Sequence, residues 1–246
     1  MKKPQFGIII PARYGSTRFP GKPLVNLGGK TVIQRTIEAA LSANPDLGIA
    51  VATDDVRIAE HVQEFAQVVM TSAEHISGTD RCADALNQLG WNCDVVVNLQ
   101  GDEPFITAEQ IHQLVSCFIN ENTQIATLKK ELTSLEDIQN PNIVKAVSGI
   151  NNRALYFSRS PIPFSREDGH VKTYKHLGMY AFRPAVLLEI TKLPPSPLEK
   201  TEMLEQLRWL ENGYAIDIVE TNWASHAIDT PEDLIKAEIF LNGLEG

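Results

Sequence analysis

The stretch from Phe6 to Pro23, FGIIIPARYGSTRFPGKP, opens on an apolar run and closes on a cationic loop. Phe6 to Ile10 carries no polar side chain and ends in Pro11, so it reads as a buried first strand feeding a loop. That loop combines Gly15 and Gly21 with Ser16, Thr17 and the fixed cations Arg13, Arg18 and Lys22. Backbone amides of a tight glycine-containing loop cradle an anion, while guanidinium and ammonium groups neutralise phosphate oxygens. A triphosphate is the guest this pattern suits. Read alone, the same residues also make a basic surface turn. The loop lacks both the glycine spacing that precedes Lys-Ser/Thr in an ATPase and the dinucleotide fingerprint, so it points to neither of those functions.

Outward from this loop, strand and helix signals alternate with short connections. Thr31 stands three residues before Gln34 in a capping-box pattern, and Val32, Ile33, Thr36, Ile37, Ala40 and Leu41 follow at helical spacing. Ile49 to Thr53 reads as a second strand, Asp54 or Asp55 as the cap of a helix through Phe65, and Val68 to Thr71 as a third strand. A helix is expected near Asp80 to Leu89 and a strongly β-branched fourth strand over Val95 to Leu99. Thr107 with Gln110 repeats the capping box, and Ile125 to Leu128 resumes the sheet. This alternation predicts an α/β fold with a mostly parallel, doubly wound sheet covered on both faces. Ligands bind such sheets outside the carboxyl ends of the strands.

The later half is less regular. Ile143 to Val147, Ala154 to Ser158 and Leu177 to Phe182 are candidate strands, and the break at Pro194, Pro195 and Pro197 precedes a helix expected from about Leu198 to Glu211. Thr230 and Pro231 start a last helix, since Thr caps and Pro suits the first helical position. On one helix Glu202 and Glu205 would share a face, and on one strand His176 and Tyr180 would do so.

A chain of 246 residues that is 43% hydrophobic can bury a full core. It shows neither an apolar run of membrane-spanning length nor the succession of regions in a signal peptide, and a cytoplasmic location is expected. Cys82, Cys93 and Cys117 are odd in number and lack metal-site spacing, which disfavours a disulfide framework and structural zinc. The net charge of −9 disfavours a general nucleic-acid binder. The charge is unevenly spread: residues 1–35 hold seven Lys or Arg and no Asp or Glu.

Strand four runs into Asn98-Leu99-Gln100-Gly101-Asp102-Glu103-Pro104. A carboxylate just beyond a buried strand lies at the ligand-bearing edge of the sheet, and Mg²⁺ binds through one or two carboxylates plus substrate phosphates. Asp102 is the first candidate metal ligand, although an Asp after Gly also caps turns.

The segment 11–24, PARYGSTRFPGKPL, resembles the signature of the CMP-KDO synthetases (3-deoxy-manno-octulosonate cytidylyltransferases). Also similar are Ser77 to Arg81, Asn98 to Pro104, Tyr156 to Pro163, His176 to Tyr180, Pro195 to Glu199, Glu202 to Arg208 and Ile228 to Leu234, in family order along nearly the whole chain. The resemblance implies a Rossmann-like nucleotidyltransferase fold in one domain over 1–246. A nucleotide-binding half would end near residue 130, followed by a smaller sugar-binding and dimerisation subregion. It also implies CTP and an acidic sugar as substrates, Mg²⁺, a homodimer, and a place in bacterial lipopolysaccharide biosynthesis. Carried over residue by residue, Arg13 and Lys22 would hold the triphosphate with Ala12, Ser16 and Arg18. Ser77, Gly78 and Arg81 would line the cytosine pocket, and Asp102 and Asp229 would hold metal. Gln100, Arg159, Arg166, His176, Tyr180, Glu205 and Gln206 would surround the sugar. His61, His75, His112, His170 and His226 are read as structural or exposed. The rival readings are a cytidylyltransferase for 8-amino-KDO or sialic acid, and a nucleotide-binding module without turnover.

Overall fold

The computed structural model describes residues 3–15, 19–167, 172–223 and 226–244. Two compact units emerge, one of Pro4–His112 with Ser225–Gly246, the other of Met1–Lys3 with Gln113–Ala224. The first unit begins with β1 (Phe6–Ala12), β2 (Asn26–Leu27), β3 (Lys30–Thr31), α1 (Val32–Leu41) and β4 (Ile49–Thr53). It continues through α2 (Val56–Val62), β5 (Gln67–Met70), α3 (Gly78–Leu89) and β6 (Val95–Asn98) into the start of α4 (Ala108–Ser116). The second unit contains β7 (Ile125–Leu132), α5 (Leu135–Gln139), β8 (Lys145–Ser148), β9 (Ala154–Ser158) and β10 (Thr173–Phe182). It closes with α6 (Pro184–Ile190), α7 (Pro197–Glu202), α8 (Gln206–Glu211) and β11 (Ile216–Glu220). The last helix, α9 (Pro231–Leu244), belongs to the first unit.

In the first unit the strands lie in the order β6-β1-β4-β5, all parallel. Ile8, Ile9 and Ile10 are fully buried, as a strand with helices over both faces requires. α1 leads from β1 to β4, whereas α3 carries the chain from β5 back to the far side of β1. Right-handed crossovers in opposite directions place those helices on opposite faces. Between β1 and β6 the strand order therefore reverses, and the carboxyl ends of these two strands frame the crevice where ligands enter. β1 runs farther than its apolar run: Pro11 and Ala12 pair with Ala52 and Thr53. Pro11 lies past the last β1–β6 pair, Ile9 with Asn98, so its missing N–H leaves no β6 carbonyl unmet.

Most helix starts follow the sequence signals. Ser77 and Asp80 exchange reciprocal bonds at the head of α3, and Thr107 and Gln110 do so before α4. Thr31 accepts from Gln34 N at 3.2 Å, but the Gln34 amide goes to Glu38, so that box is half made.

The second unit mixes directions. β11 lies parallel to β7, while β10 is antiparallel to both β7 and β8, and β9 is antiparallel to β8. The expected single helix over Leu198 to Glu211 is two helices, because Met203 takes a left-handed conformation with φ 54° and Leu204 N closes onto Glu199 O. Glu202 thus ends α7 and Glu205 stands at the N-cap of α8, so the two do not share a helical face. A left-handed residue at a helix C-terminus is usually Gly, and Met gives no such signal.

Candidate active site

The cleft of the first unit, about 250 Å³, opens at the carboxyl ends of β1 and β6. Pro11, Ala12 and Arg13 line it from β1, Gln100, Gly101 and Asp102 from the loop after β6, and Ser77, Gly78 and Arg81 from the head of α3. Lys22 and Asp229 complete its charged floor. The chain can approach this closely because Gly78 carries no Cβ: one would stand 3.3 Å from both the Gln100 amide and the Pro11 ring. Gly21 has φ +71° against the Tyr14 ring, a turn that favours glycine and that leads straight into Lys22.

Lys22 is buried, and its ammonium bridges two carboxylates, at 2.5 Å from Asp102 Oδ2 and 3.0 Å from Asp229 Oδ1. Burial alone would pull its pKa down; Asp102 and then Asp229 outweigh burial, and the pKa is raised. The ammonium therefore stays charged at neutral pH. Asp229 arrives from the far end of the chain by a defined path. Ile228 N donates to Asp102 O at 3.0 Å, while Asp229 N and Thr230 N both donate to Asp233 Oδ2 at the head of α9. Leu27, Val32, Ile228, Ala237 and Leu241 form the apolar cluster that seats α9.

The other expected nucleotide residues fall into place unevenly. Arg13 is exposed at the cleft wall. Arg81 is buried and already engaged, with Nη1 donating to Thr71 Oγ1 at 2.6 Å and Nη2 at 3.3 Å from Asp54. Gln100, expected at the sugar, lines this same cleft, and its Nε2 donates to Asn98 Oδ1 at 3.0 Å. Ser16 and Arg18 lie outside the described residues. His75, expected to be structural or exposed, lines the cleft together with Ile76. Its Nε2 lies 2.8 Å from Asp84 Oδ2, one helical turn along from Asp80. The signal for it was its place two residues before the cap Ser77 in a loop that had to turn at the sheet edge.

The expected sugar residues of the second unit form two groups. His176 and Tyr180 share a face of β10 with ring centroids 5.3 Å apart, between Phe157 and Trp209. His176 Nε2 lies 2.9 Å from Thr127 Oγ1, and burial pushes its pKa down to about 3, so the ring is neutral. The Tyr180 hydroxyl is buried with no hydrogen-bond partner among the described residues, and burial, followed by the Glu205 charge, raises its pKa. Gln206 is buried at the start of α8. Arg159 forms the second group, with its guanidinium on the carbonyls of Glu202, Pro141 and Met203. Arg166 is exposed and joins neither.

Residues 7–218 match the Cytidylyltransferase family model. Curated 3-deoxy-manno-octulosonate cytidylyltransferases are similar over nearly their full length: 54% identity with that of Bacteroides thetaiotaomicron, covering 95% of this chain and 96% of the relative. The one from Parabacteroides distasonis is 52% identical with the same coverage. A CMP:2-keto-3-deoxy-manno-octonic acid synthetase solved with CTP superposes with a TM-score of 0.92 at 39% identity, covering 98% of this chain and 99% of the other. By sequence, fold and site, this chain belongs to the 3-deoxy-manno-octulosonate cytidylyltransferases.

Proposed function

We propose that the protein activates 3-deoxy-manno-octulosonate (KDO) with CTP, giving CMP-KDO and pyrophosphate, and that the cleft at the ends of β1 and β6 holds the nucleotide. One observation carries the assignment of the cleft: cationic Lys22 and Arg13 and the paired carboxylates Asp102 and Asp229 converge at the sheet's switch point. In this reaction the anomeric oxygen of KDO forms a bond to the α-phosphorus while the bond from that phosphorus to the bridging oxygen breaks. The hydroxyl proton leaves to solvent and pyrophosphate carries away the electron pair.

Positioning and charge neutralisation supply most of the acceleration in phosphoryl-group chemistry. Lys22 and Arg13 are the groups that offset charge building on the departing pyrophosphate. Ser77, Gly78 and Arg81 border the base. In the second unit, Arg159 offers a guanidinium for the sugar carboxylate, and Tyr180, Glu205, Gln206 and the neutral ring of His176 offer hydrogen-bonding groups for the hydroxyls.

The donor set suits magnesium. Asp102 and Asp229 already converge on one cationic atom, and among the described residues no group of three or more His, Cys, Asp or Glu could hold a metal. Two carboxylates, with water and phosphate completing the shell, is the arrangement a hard cation such as Mg²⁺ accepts. When bound, Mg²⁺ neutralises phosphate charge and lowers the pKa of a coordinated hydroxyl. We also read the protein as a cytoplasmic homodimer, as the family resemblance implies. Among the described residues no helix is long and apolar enough to cross a membrane.

The test is pyrophosphate release with four nucleoside triphosphates crossed against KDO, 8-amino-KDO and sialic acid. Turnover is expected with CTP and KDO. Comparable use of sialic acid, or turnover with none of the combinations, contradicts the assignment.

A further inference from the structure

Lys145 is fully buried, yet among the described residues its ammonium forms no ion pair with a carboxylate; it donates to three carbonyls, of Asn140 at 2.9 Å, Ile143 at 2.6 Å and Arg159 at 2.6 Å. Burying a charge is costly, and a position that served packing alone would be filled as well by an apolar residue of similar volume. All three of its donors are used, so the ammonium ties the 140–143 segment and the exit of β9 to one point. Arg159 is held from its other side as well. Its N–H donates to Glu202 Oε2 at 2.9 Å, and the Glu202 Oε1 atom accepts from the Ser158 hydroxyl at 2.6 Å. A cation therefore fixes the carbonyl of Arg159 and an anion fixes its amide.

The guanidinium itself rests on the same frame. Nε donates to Glu202 O at 2.8 Å, Nη1 to Pro141 O at 3.1 Å, and Nη2 lies 3.5 Å from Met203 O. The left-handed turn at Met203, and the segment that Lys145 anchors, supply those acceptors. Of the five N–H bonds of a guanidinium, one on each terminal nitrogen is left unused among the described residues, the number a carboxylate takes in a bidentate pair.

We propose that Lys145 and Glu202 are positioning residues that act through Arg159 and so set affinity for the acidic sugar. The inference rests on the reading of Arg159 as the partner of the KDO carboxylate. Neither residue touches substrate in this scheme. Losing either lets the end of β9 and the guanidinium shift, and a bidentate contact tolerates little displacement.

The experiment is a double-mutant cycle read by saturation with KDO and with CTP. It uses Glu202→Gln, Lys145→Met, Arg159→Met, and each of the first two combined with Arg159→Met. Each single variant is expected to raise KM for KDO about tenfold, the coupling typical of contacting residues, with KM for CTP within about twofold. In the Arg159→Met background, the second substitution is expected to add less than about twofold, because the residue it acts through is gone. Equal rises in the two KM values, or a full tenfold loss on top of Arg159→Met, overturns the proposal and leaves Lys145 and Glu202 as parts of the general scaffold. If Arg159→Met saturates normally with KDO, the reading of Arg159 itself has failed. Thermal melting accompanies each variant; should Lys145→Met not fold, Glu202→Gln, which keeps the side-chain shape, decides the question alone.

Discussion

Two clusters of charge, one in each unit, are satisfied in opposite ways. In the cleft, an ammonium is paired with side-chain carboxylates, Lys22 with Asp102 and Asp229, and Asp229 retains 42% of its side-chain exposure. Around Arg159, the cations are paired with backbone: Lys145 spends three bonds on carbonyls and Arg159 three more. Side-chain ions at the edge of solvent can exchange partners when a charged substrate arrives. Backbone carbonyls cannot leave without moving the chain. The first cluster can be re-partnered and the second holds a fixed geometry, which is what the proposed roles require of each, the first neutralising a triphosphate and the second selecting a sugar.

The harshest way to break this contrast is to remove a carboxylate from the exchangeable cluster. Asp102→Asn is expected to lower kcat by about a hundredfold or more, the scale of losing one transition-state electrostatic group, with the melting temperature nearly kept. Chelation followed by Mg²⁺ add-back on the wild type checks the same assignment. Near-normal rates in the variant would remove Asp102 from the metal site.

Lys22→Ala comes next. The ammonium is expected to contact phosphates that gain charge as pyrophosphate leaves. Its loss should lower the rate and the apparent CTP affinity together, by roughly tenfold to a hundredfold for a charge-assisted bond. Pre-steady-state turnover with a CTP titration measures both. Arg159→Lys keeps charge but loses the fork, and should cost about 1.5 kcal/mol or more in KDO binding, about tenfold. Arg166→Lys is the comparison variant, since Arg166 lacks the frame that holds Arg159; a larger effect there would move the carboxylate contact to the exposed segment.

The last effect is on stability and not on turnover. His176 titrates at about 3 in the fold, below its ordinary value near 6.5, because burial disfavours the charged ring. The unfolded chain then binds the proton more readily. The stability held above about pH 6.5 is lost as the pH falls toward 3, by about 2 kcal/mol at pH 5 for one such group. Denaturant unfolding at pH 7 and pH 5 should show a smaller difference in His176→Gln than in the wild type.

The parallel unit was legible in the sequence because its signals are local. Apolar runs of four or five residues, caps such as Ser77 and Thr107, and short connections suffice for a doubly wound sheet, and the cleft follows from where such sheets bind. Asp229 came only through the resemblance, since its approach to Asp102 depends on α9 folding back across the whole sequence. The second unit was harder to read. α5, α6 and α7 span five to seven residues, too few for a helical period to show, and β11, five residues long, is not among the expected strands. Met203 gives no sign of a left-handed turn, so helical spacing sets Glu202 beside Glu205, whereas the turn brings it against Arg159. Lys145, one positive charge in an apolar stretch, carries no pattern that marks it as buried.

The contrast between an exchangeable and a fixed cluster is tested most directly by full CTP and KDO saturation curves for Lys22→Ala and Arg159→Lys measured side by side. A crossed result is expected, with Lys22→Ala shifting the CTP curve and sparing KDO, and Arg159→Lys shifting KDO and sparing CTP. If each variant shifts both curves to a similar degree, the two clusters do not divide the substrates between them, and this assignment of their roles is wrong.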